Sequence, residues 1–143
     1  MFDFNLTCKF SFHLNSDVNL NVDLKYEVDE SIEFMGYDIK LFQLWSNIVK
    51  NALEAMSEQK DKYLGIIAEK EDNKIVVTFE NNGPKLPDDI VKTIFNKFYT
   101  TKAKKSGSGL GLSIVKNVLK EHKADINIES SESLTKFIIT FEL

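Results

Sequence analysis

Asp38-Ile39-Lys40-Leu41-Phe42-Gln43-Leu44-Trp45-Ser46-Asn47-Ile48-Val49-Lys50-Asn51-Ala52-Leu53-Glu54-Ala55-Met56-Ser57-Glu58 carries two patterns at once. Leu41, Trp45, Ile48, Ala52, Ala55 and Met56 recur at steps of three and four, the spacing of a helix with one buried face. Gln43, Asn47, Asn51, Glu54 and Glu58 recur at the same steps on the other side and form a polar stripe. The spacing predicts a helix over 38–58, with Asp38 as its N-cap. Asparagine is a mediocre helix former, so two of them four apart are unusual for a face that only meets water. The stripe is either a solvated face or an oxygen-bearing surface for Mg²⁺. That ion keeps most of its waters and needs little more than one amide oxygen beside nucleotide phosphates.

Strands flank this helix on both sides. Phe2, Phe4, Leu6, Cys8, Phe10, Phe12 and Leu14 alternate strictly, which predicts a half-buried strand. Asn15-Ser16-Asp17 reads as a turn, and Val18 to Val28 alternates again, before a loop over 29–37 that contains Gly36. Beyond the helix, Tyr63 to Glu69 and Lys74 to Glu80 read as a hairpin closed by Glu71-Asp72-Asn73. Gly83-Pro84 and Pro87 open an irregular stretch, and a short helix over Asp88 to Phe95 follows. A lysine-rich loop then leads into a helix from Leu110 to His122, with Ile114, Val115, Val118 and Leu119 toward the core. Ile126 to Glu129 and Lys136 to Leu143 close the chain as strands. Strands grouped between helices, without strict βαβ alternation, point to an α+β two-layer sandwich.

Composition sets the outer bounds. At 143 residues the chain is the size of one domain, with 43% hydrophobic and 28% charged residues, as in a soluble protein. A net charge of −4 argues against a nucleic-acid footprint, and no apolar run is long enough to span a membrane. The single cysteine, Cys8, suits a reducing compartment and reads as a small core residue. All 18 basic residues are lysines, so bidentate arginine recognition of phosphate is unavailable.

Gly107-Ser108-Gly109-Leu110-Gly111 lies at the start of the second long helix. Unpaired N–H groups and the positive dipole end make such a start a phosphate site, and glycine lets an anion approach the backbone. The plain alternative is a flexible, glycine-capped loop. Lys97, Lys102, Lys104 and Lys105 crowd just before it in an otherwise acidic chain. They read either as a solvated loop or as cations gathered around an anion site. The segment matches neither the dinucleotide fingerprint nor the P-loop.

Four segments in order resemble the motifs of sensor histidine kinases. Asn47-Ile48-Val49-Lys50-Asn51-Ala52-Leu53-Glu54-Ala55-Met56 is similar to their asparagine box. Asn81-Asn82-Gly83-Pro84-Lys85-Leu86-Pro87 stands where their first glycine box belongs. Ile94-Phe95-Asn96-Lys97-Phe98-Tyr99-Thr100-Thr101-Lys102 resembles their phenylalanine box, and Gly107 to Val115 resembles their second glycine box. Order and spacing match from about residue 34 onward, while residues 1–33 match only as strands.

The resemblance implies a Bergerat-type two-layer α/β sandwich, a mixed and mostly antiparallel sheet covered on one face by three main helices. It implies one catalytic domain over 1–143 that binds ATP or ADP with Mg²⁺ under a mobile lid at 99–106. Asn51 would coordinate Mg²⁺, Asn47 would contact phosphate, and Lys102 would sit near the phosphates. Gly107, Ser108, Gly109, Leu110, Gly111 and Leu112 would line the phosphate end. Asn81, Gly83, Leu86 and Thr135 would line the adenine end, Phe95 and Phe98 would anchor the base of the lid, and Thr101 would be a further nucleotide-binding residue. The γ-phosphoryl group would pass to a histidine on a separate dimerisation domain, N-terminal in a longer parent protein, and reach a response regulator indirectly. Neither His13 nor His122 has the acidic neighbour and downstream proline of a phosphoacceptor. A cytoplasmic location is expected, without nucleic acid or membrane contact by this domain, although the parent can be membrane-anchored.

Three departures bear on chemistry. Related ATP hydrolases such as gyrase carry a glutamate where this chain has Asn47, a poor general base, so transfer to an external nucleophile suits it better than hydrolysis. The first glycine box normally opens on an aspartate that accepts a hydrogen bond from the adenine amino group, and here that position is Asn81. Losing the charge weakens such a bond by about 1 kcal/mol. Lys85 replaces a glycine and would cost about 1–2 kcal/mol if the position requires positive φ. Weak nucleotide affinity is therefore predicted. The competing readings are a degenerate module kept for protein–protein regulation and a serine kinase of the anti-sigma type.

Overall fold

The computed structural model describes residues 2–3, 21–93 and 110–143. In chain order the elements are β1 (Phe2–Asp3), β2 (Val22–Val28), β3 (Glu33–Phe34), α1 (Asp38–Ala55), β4 (Lys62–Glu71) and β5 (Lys74–Asn81). They are followed by α2 (Asp88–Thr93), α3 (Leu110–Glu121), β6 (Ala124–Ser130) and β7 (Thr135–Glu142). The main sheet has the order β2-β4-β5-β7-β6, and β1 and β3 make a separate antiparallel pair. Only β2 against β4 is parallel; the other three pairings in the main sheet are antiparallel. This is the mixed, mostly antiparallel sheet expected of the α+β sandwich.

The β4–β5 hairpin turns at Asp72, whose φ of 47° lies in the left-handed region that aspartate tolerates better than most residues. Alternation then places Leu64, Ile66 and Ala68 on the same face as Val77 and Phe79 of β5 and Phe137 and Ile139 of β7. Helices α1 and α3 lie on that face. Trp45, fully buried on α1, stacks on Phe79 at 5.6 Å between ring centroids and meets Phe141 edge-on at 6.0 Å. Val115, Val118 and Leu119 of α3 complete the core. Six-residue α2 buries no side chain. Among the described residues no helix is long and apolar enough to cross a membrane.

Several element boundaries differ from those the sequence predicts. Asp38 is not the N-cap of α1: Tyr37 occupies that position, with no side-chain cap bond. Its N–H donates to His122 Nε2 at 3.1 Å, across from the end of α3. A distant residue thus occupies Tyr37's own amide where a local cap motif was expected. Helix α1 stops at Ala55, short of Glu58, because the chain tightens there. Met56 is buried, and Ser57 N–H and Gln59 N–H donate to carbonyls three residues back. Ile114 is 39% exposed and does not face the core. The expected loop over 29–37 includes β3. Of the predicted strand over 2–14, only Phe2–Asp3 falls within the described residues, and Cys8 and His13 lie outside them.

Candidate functional site

Three elements end at one corner of the sandwich: the second half of α1, the end of β5 and the start of β7. Asn51 is one turn before Ala55 on α1, and the Ala55 carbonyl lies against Gly83, just past β5. A Cβ at Gly83 would lie 3.0 Å from that carbonyl oxygen and 2.9 Å from Asn81 Oδ1. The absence of a side chain at 83 is therefore what lets the loop close onto the helix. Asn81 is paired in register with Thr135 of β7, and both are buried, at 2% and 3% exposure. By strand alternation they lie on the helix-facing side of the sheet, in line with Phe79 and Phe137.

The polar groups here are held by specific bonds. Gly83 N–H donates to Asn81 Oδ1 at 2.9 Å. Thr135 Oγ1 and Ser130 Oγ share a hydrogen bond at 2.7 Å, and Leu86 N–H donates to Ser130 Oγ at 2.8 Å. Asn82, on the other side of the strand end, accepts from Tyr63 N–H and donates to the Asp61 carbonyl. Ser130 and Asn82 were not singled out by sequence reading. Strand register reveals Ser130, which sits opposite Thr135, and the Asn81-Asn82 pair is the signal for the second. An open cavity of about 470 Å³, lined by Lys85, Leu86, Pro87, Asp88 and Glu132, adjoins Leu86.

On α1, both candidate asparagines turn nitrogen toward the protein. Asn47 Nδ2 donates to the Gln43 carbonyl one turn back at 2.8 Å. Asn51 Nδ2 is fully buried and has no hydrogen-bond partner among the described residues. Leaving a buried donor unmade is unfavourable by about 1–3 kcal/mol, and folding alone gives no reason for it. With both nitrogens turned inward, the amide oxygens are the ends available to a hard cation or to its waters.

Glu80 lies on the opposite face of the sheet, as strand alternation requires, and is 6% exposed. Tyr63 Oη donates to Glu80 Oε1 at 2.6 Å, and Lys136 Nζ is 3.9 Å from Oε2. Burial and the Glu80 carboxylate push the Tyr63 phenol up to about 12. Glu80 therefore cannot substitute for Asn81 at the corner. Lys85 is exposed, and among the described residues only Asp72 and Lys123 combine a side chain with positive φ. The strain expected at Lys85 is accordingly absent: this backbone does not need glycine there.

The structure thus brings together Asn81, Gly83, Leu86 and Thr135, with Asn51 one turn before the Ala55 carbonyl that Gly83 meets and Asn47 a further turn back on α1. Leu110, Gly111 and Leu112 form the first turn of α3. Phe95, Phe98, Thr101, Lys102, Gly107, Ser108 and Gly109, with the lid over 99–106, lie outside the described residues.

Residues 36–143 match the sequence profile of a family described as histidine kinase-, DNA gyrase B-, and HSP90-like ATPase. The chain is 35% identical over 113 residues to the sensor histidine kinase CssS of Bacillus subtilis, covering 78% of this chain and 24% of that protein. It is 33% identical over 132 residues to sporulation kinase A of Bacillus subtilis, covering 90% and 21%. The C4-dicarboxylate transport sensor protein DctB of Rhizobium meliloti is 31% identical over 113 residues, covering 79% and 18%. The chain therefore spans about a fifth of the length of the curated relatives it matches. Among solved structures, a nucleotide-free form of the catalytic domain of histidine kinase ThkA superposes with a TM-score of 0.87 at 28% identity, covering 99% of this chain and 93% of that one.

Proposed function

Because the chain belongs to the histidine kinase-, DNA gyrase B-, and HSP90-like ATPase family, we propose that it is the ATP-binding catalytic domain of a sensor histidine kinase. It passes the ATP γ-phosphoryl group to a histidine on a separate helical domain, from which a response regulator draws it. One observation supports this most: Asn51, with its amide nitrogen buried and without a partner among the described residues, stands one turn from the Ala55 carbonyl that meets the corner of Asn81, Gly83 and Thr135. Residues suited to a metal and phosphates and residues suited to a base thus lie on adjoining elements, which supports the reading.

In this reading Asn51 Oδ1 holds Mg²⁺, and Asn47 contacts phosphate directly or through water. When bound, Mg²⁺ neutralises charge on the phosphate oxygens. The base enters beside Leu86 and meets Asn81 and Thr135. The first turn of α3 offers N–H groups at Leu110 and Gly111 to the phosphates, continuing from Gly107, Ser108 and Gly109. Lys102 adds positive charge there, Phe95 and Phe98 anchor the base of the lid, and Thr101 is a further nucleotide-binding residue. Asn47 is an amide and cannot take a proton from water, so the site favours an external nucleophile over hydrolysis. The parent protein works on the cytoplasmic side, whether or not it is membrane-anchored, and this domain contacts neither lipid nor nucleic acid.

The test combines binding and transfer. Calorimetry with Mg²⁺-ADP should show one site, weakened at least tenfold by Asn51→Ala or by removing Mg²⁺. Incubation with γ-labelled ATP and a histidine-bearing phosphoacceptor domain should give an acid-labile phosphoprotein. No binding at millimolar nucleotide would favour the degenerate module, and an acid-stable product on a serine-bearing partner would favour the serine kinase.

A further inference from the structure

The β4–β5 ladder ends in an exchange between a main chain and a side chain. Opposed residues of an antiparallel pair can trade both N–H···O bonds between their main chains. Tyr63 and Asn82 stand one step beyond the Leu64–Asn81 pair. Asn82 N–H donates to the Tyr63 carbonyl at 3.3 Å, as a ladder residue would. The return bond is different. Tyr63 N–H donates at 3.0 Å to Asn82 Oδ1, so the side-chain oxygen stands in for the main-chain carbonyl. Asn82 Nδ2 donates to the Asp61 carbonyl at 2.7 Å, so both ends of the amide are used and its orientation is fixed.

This stand-in lets the main chain leave the sheet without stranding the Tyr63 amide. Directly after Asn82, Gly83 lies against the Ala55 carbonyl of α1, and its N–H reaches Asn81 Oδ1 at 2.9 Å. Leu86 N–H then pins the loop to Ser130 Oγ at 2.8 Å. The loop over 83–86 is thus held at both ends, by Asn82 and by Ser130. Tyr63 is itself tied, on the outer face of the sheet, to Glu80, the residue just before Asn81. We propose that Asn82 is a positioning residue for the base: without touching nucleotide, it sets where Asn81, Gly83 and Leu86 stand. Alanine at 82 has no side-chain acceptor, so the main-chain carbonyl returns to Tyr63 N–H, the strand runs on, and Gly83 is drawn off the helix. The inference rests on the nucleotide reading above. Asn51, whose place is set by α1, is not moved by the change.

NMR titration of the 143-residue chain with ADP, once with Mg²⁺ and once with EDTA, tests this without turnover. Asn82→Ala should weaken ADP binding by about tenfold, the worth of one well-placed hydrogen bond. The factor by which Mg²⁺ tightens ADP should stay that of the wild type. Asn82→Asp keeps the acceptor for Tyr63 N–H and loses only the bond to Asp61, so its loss should be smaller, about threefold. Circular dichroism checks both folds, and if alanine unfolds the chain the aspartate variant carries the test alone. Unchanged ADP affinity in the folded variants overturns the proposal. So does a loss in which the Mg²⁺ factor shrinks as well, because that marks a general loosening of the domain. A folded wild type that does not bind ADP at millimolar concentration overturns the nucleotide reading itself, and this proposal with it.

Discussion

Gly83 leaves no room for a methyl group. A Cβ there would press on the Ala55 carbonyl oxygen at 3.0 Å and on Asn81 Oδ1 at 2.9 Å. The carbonyl belongs to the helix backbone and cannot step aside cheaply, so Gly83→Ala should destabilise the domain by about 1–3 kcal/mol, read from urea denaturation. On the far face, Tyr63 ties the buried Glu80. Its phenol is raised from 10 to about 12, so the folded state favours the protonated form. The stabilisation is fully present below pH 10 and is lost as pH rises from about 10 through about 12. Denaturation midpoints of the wild type should therefore fall more steeply across that window than those of Tyr63→Phe; parallel curves would exclude the coupling. At this scale helical spacing made the candidates Asn47 and Asn51 legible and the ordered motifs Gly83, while Thr135 was expected only through the family resemblance. Ser130 and Asn82 were not legible, because their partners are set by strand register and by a loop bond, neither of which one sequence displays.

The element that ties the sandwich together is α1, through Trp45. Its ring is fully buried between Phe79 and Phe141 on two adjacent strands, and it is the chain's single tryptophan. Trp45→Ala should cost about 3–5 kcal/mol, visible as a large loss in the circular-dichroism melting temperature. Trp45→Phe should recover much of that loss, because the ring contact survives in part. The run of apolar positions that marks this helix is long and regular, so its presence and buried face could be read directly. Its ends could not. Asp38 looks like a cap from local sequence, yet Tyr37 takes the position with its amide on His122, a residue 85 positions away. Ile114 fails for a related reason: α3 meets α1 and the sheet along a narrower face than its apolar residues suggest, leaving Ile114 at the surface.

For the whole molecule, the α+β class was legible because strands cluster between two periodic helices. The strand order was not, since nothing local tells β2 to lie parallel beside β4. That arrangement puts the end of β5 and the start of β7 at the centre of the sheet, under the second half of α1, which gathers Asn81, Thr135 and Asn51, the residues proposed to serve one ligand. The same arrangement sets function against stability at Asn51. Its buried Nδ2, unpartnered among the described residues, is a liability to the nucleotide-free fold, one that the proposed metal binding by the same side chain would justify. Replacing Asn51 by alanine removes the orphaned donor, so the nucleotide-free variant should melt no lower than the wild type. Mg²⁺-ADP at about 100 times its dissociation constant should stabilise the wild type by about 2.7 kcal/mol, a rise of roughly 5–10 °C. In Asn51→Ala that rise should shrink to what the nucleotide gives in EDTA. A variant whose nucleotide-free melting point drops by several degrees would show that Asn51 is held for the fold. A full ligand-induced shift in Asn51→Ala would remove it from the metal site.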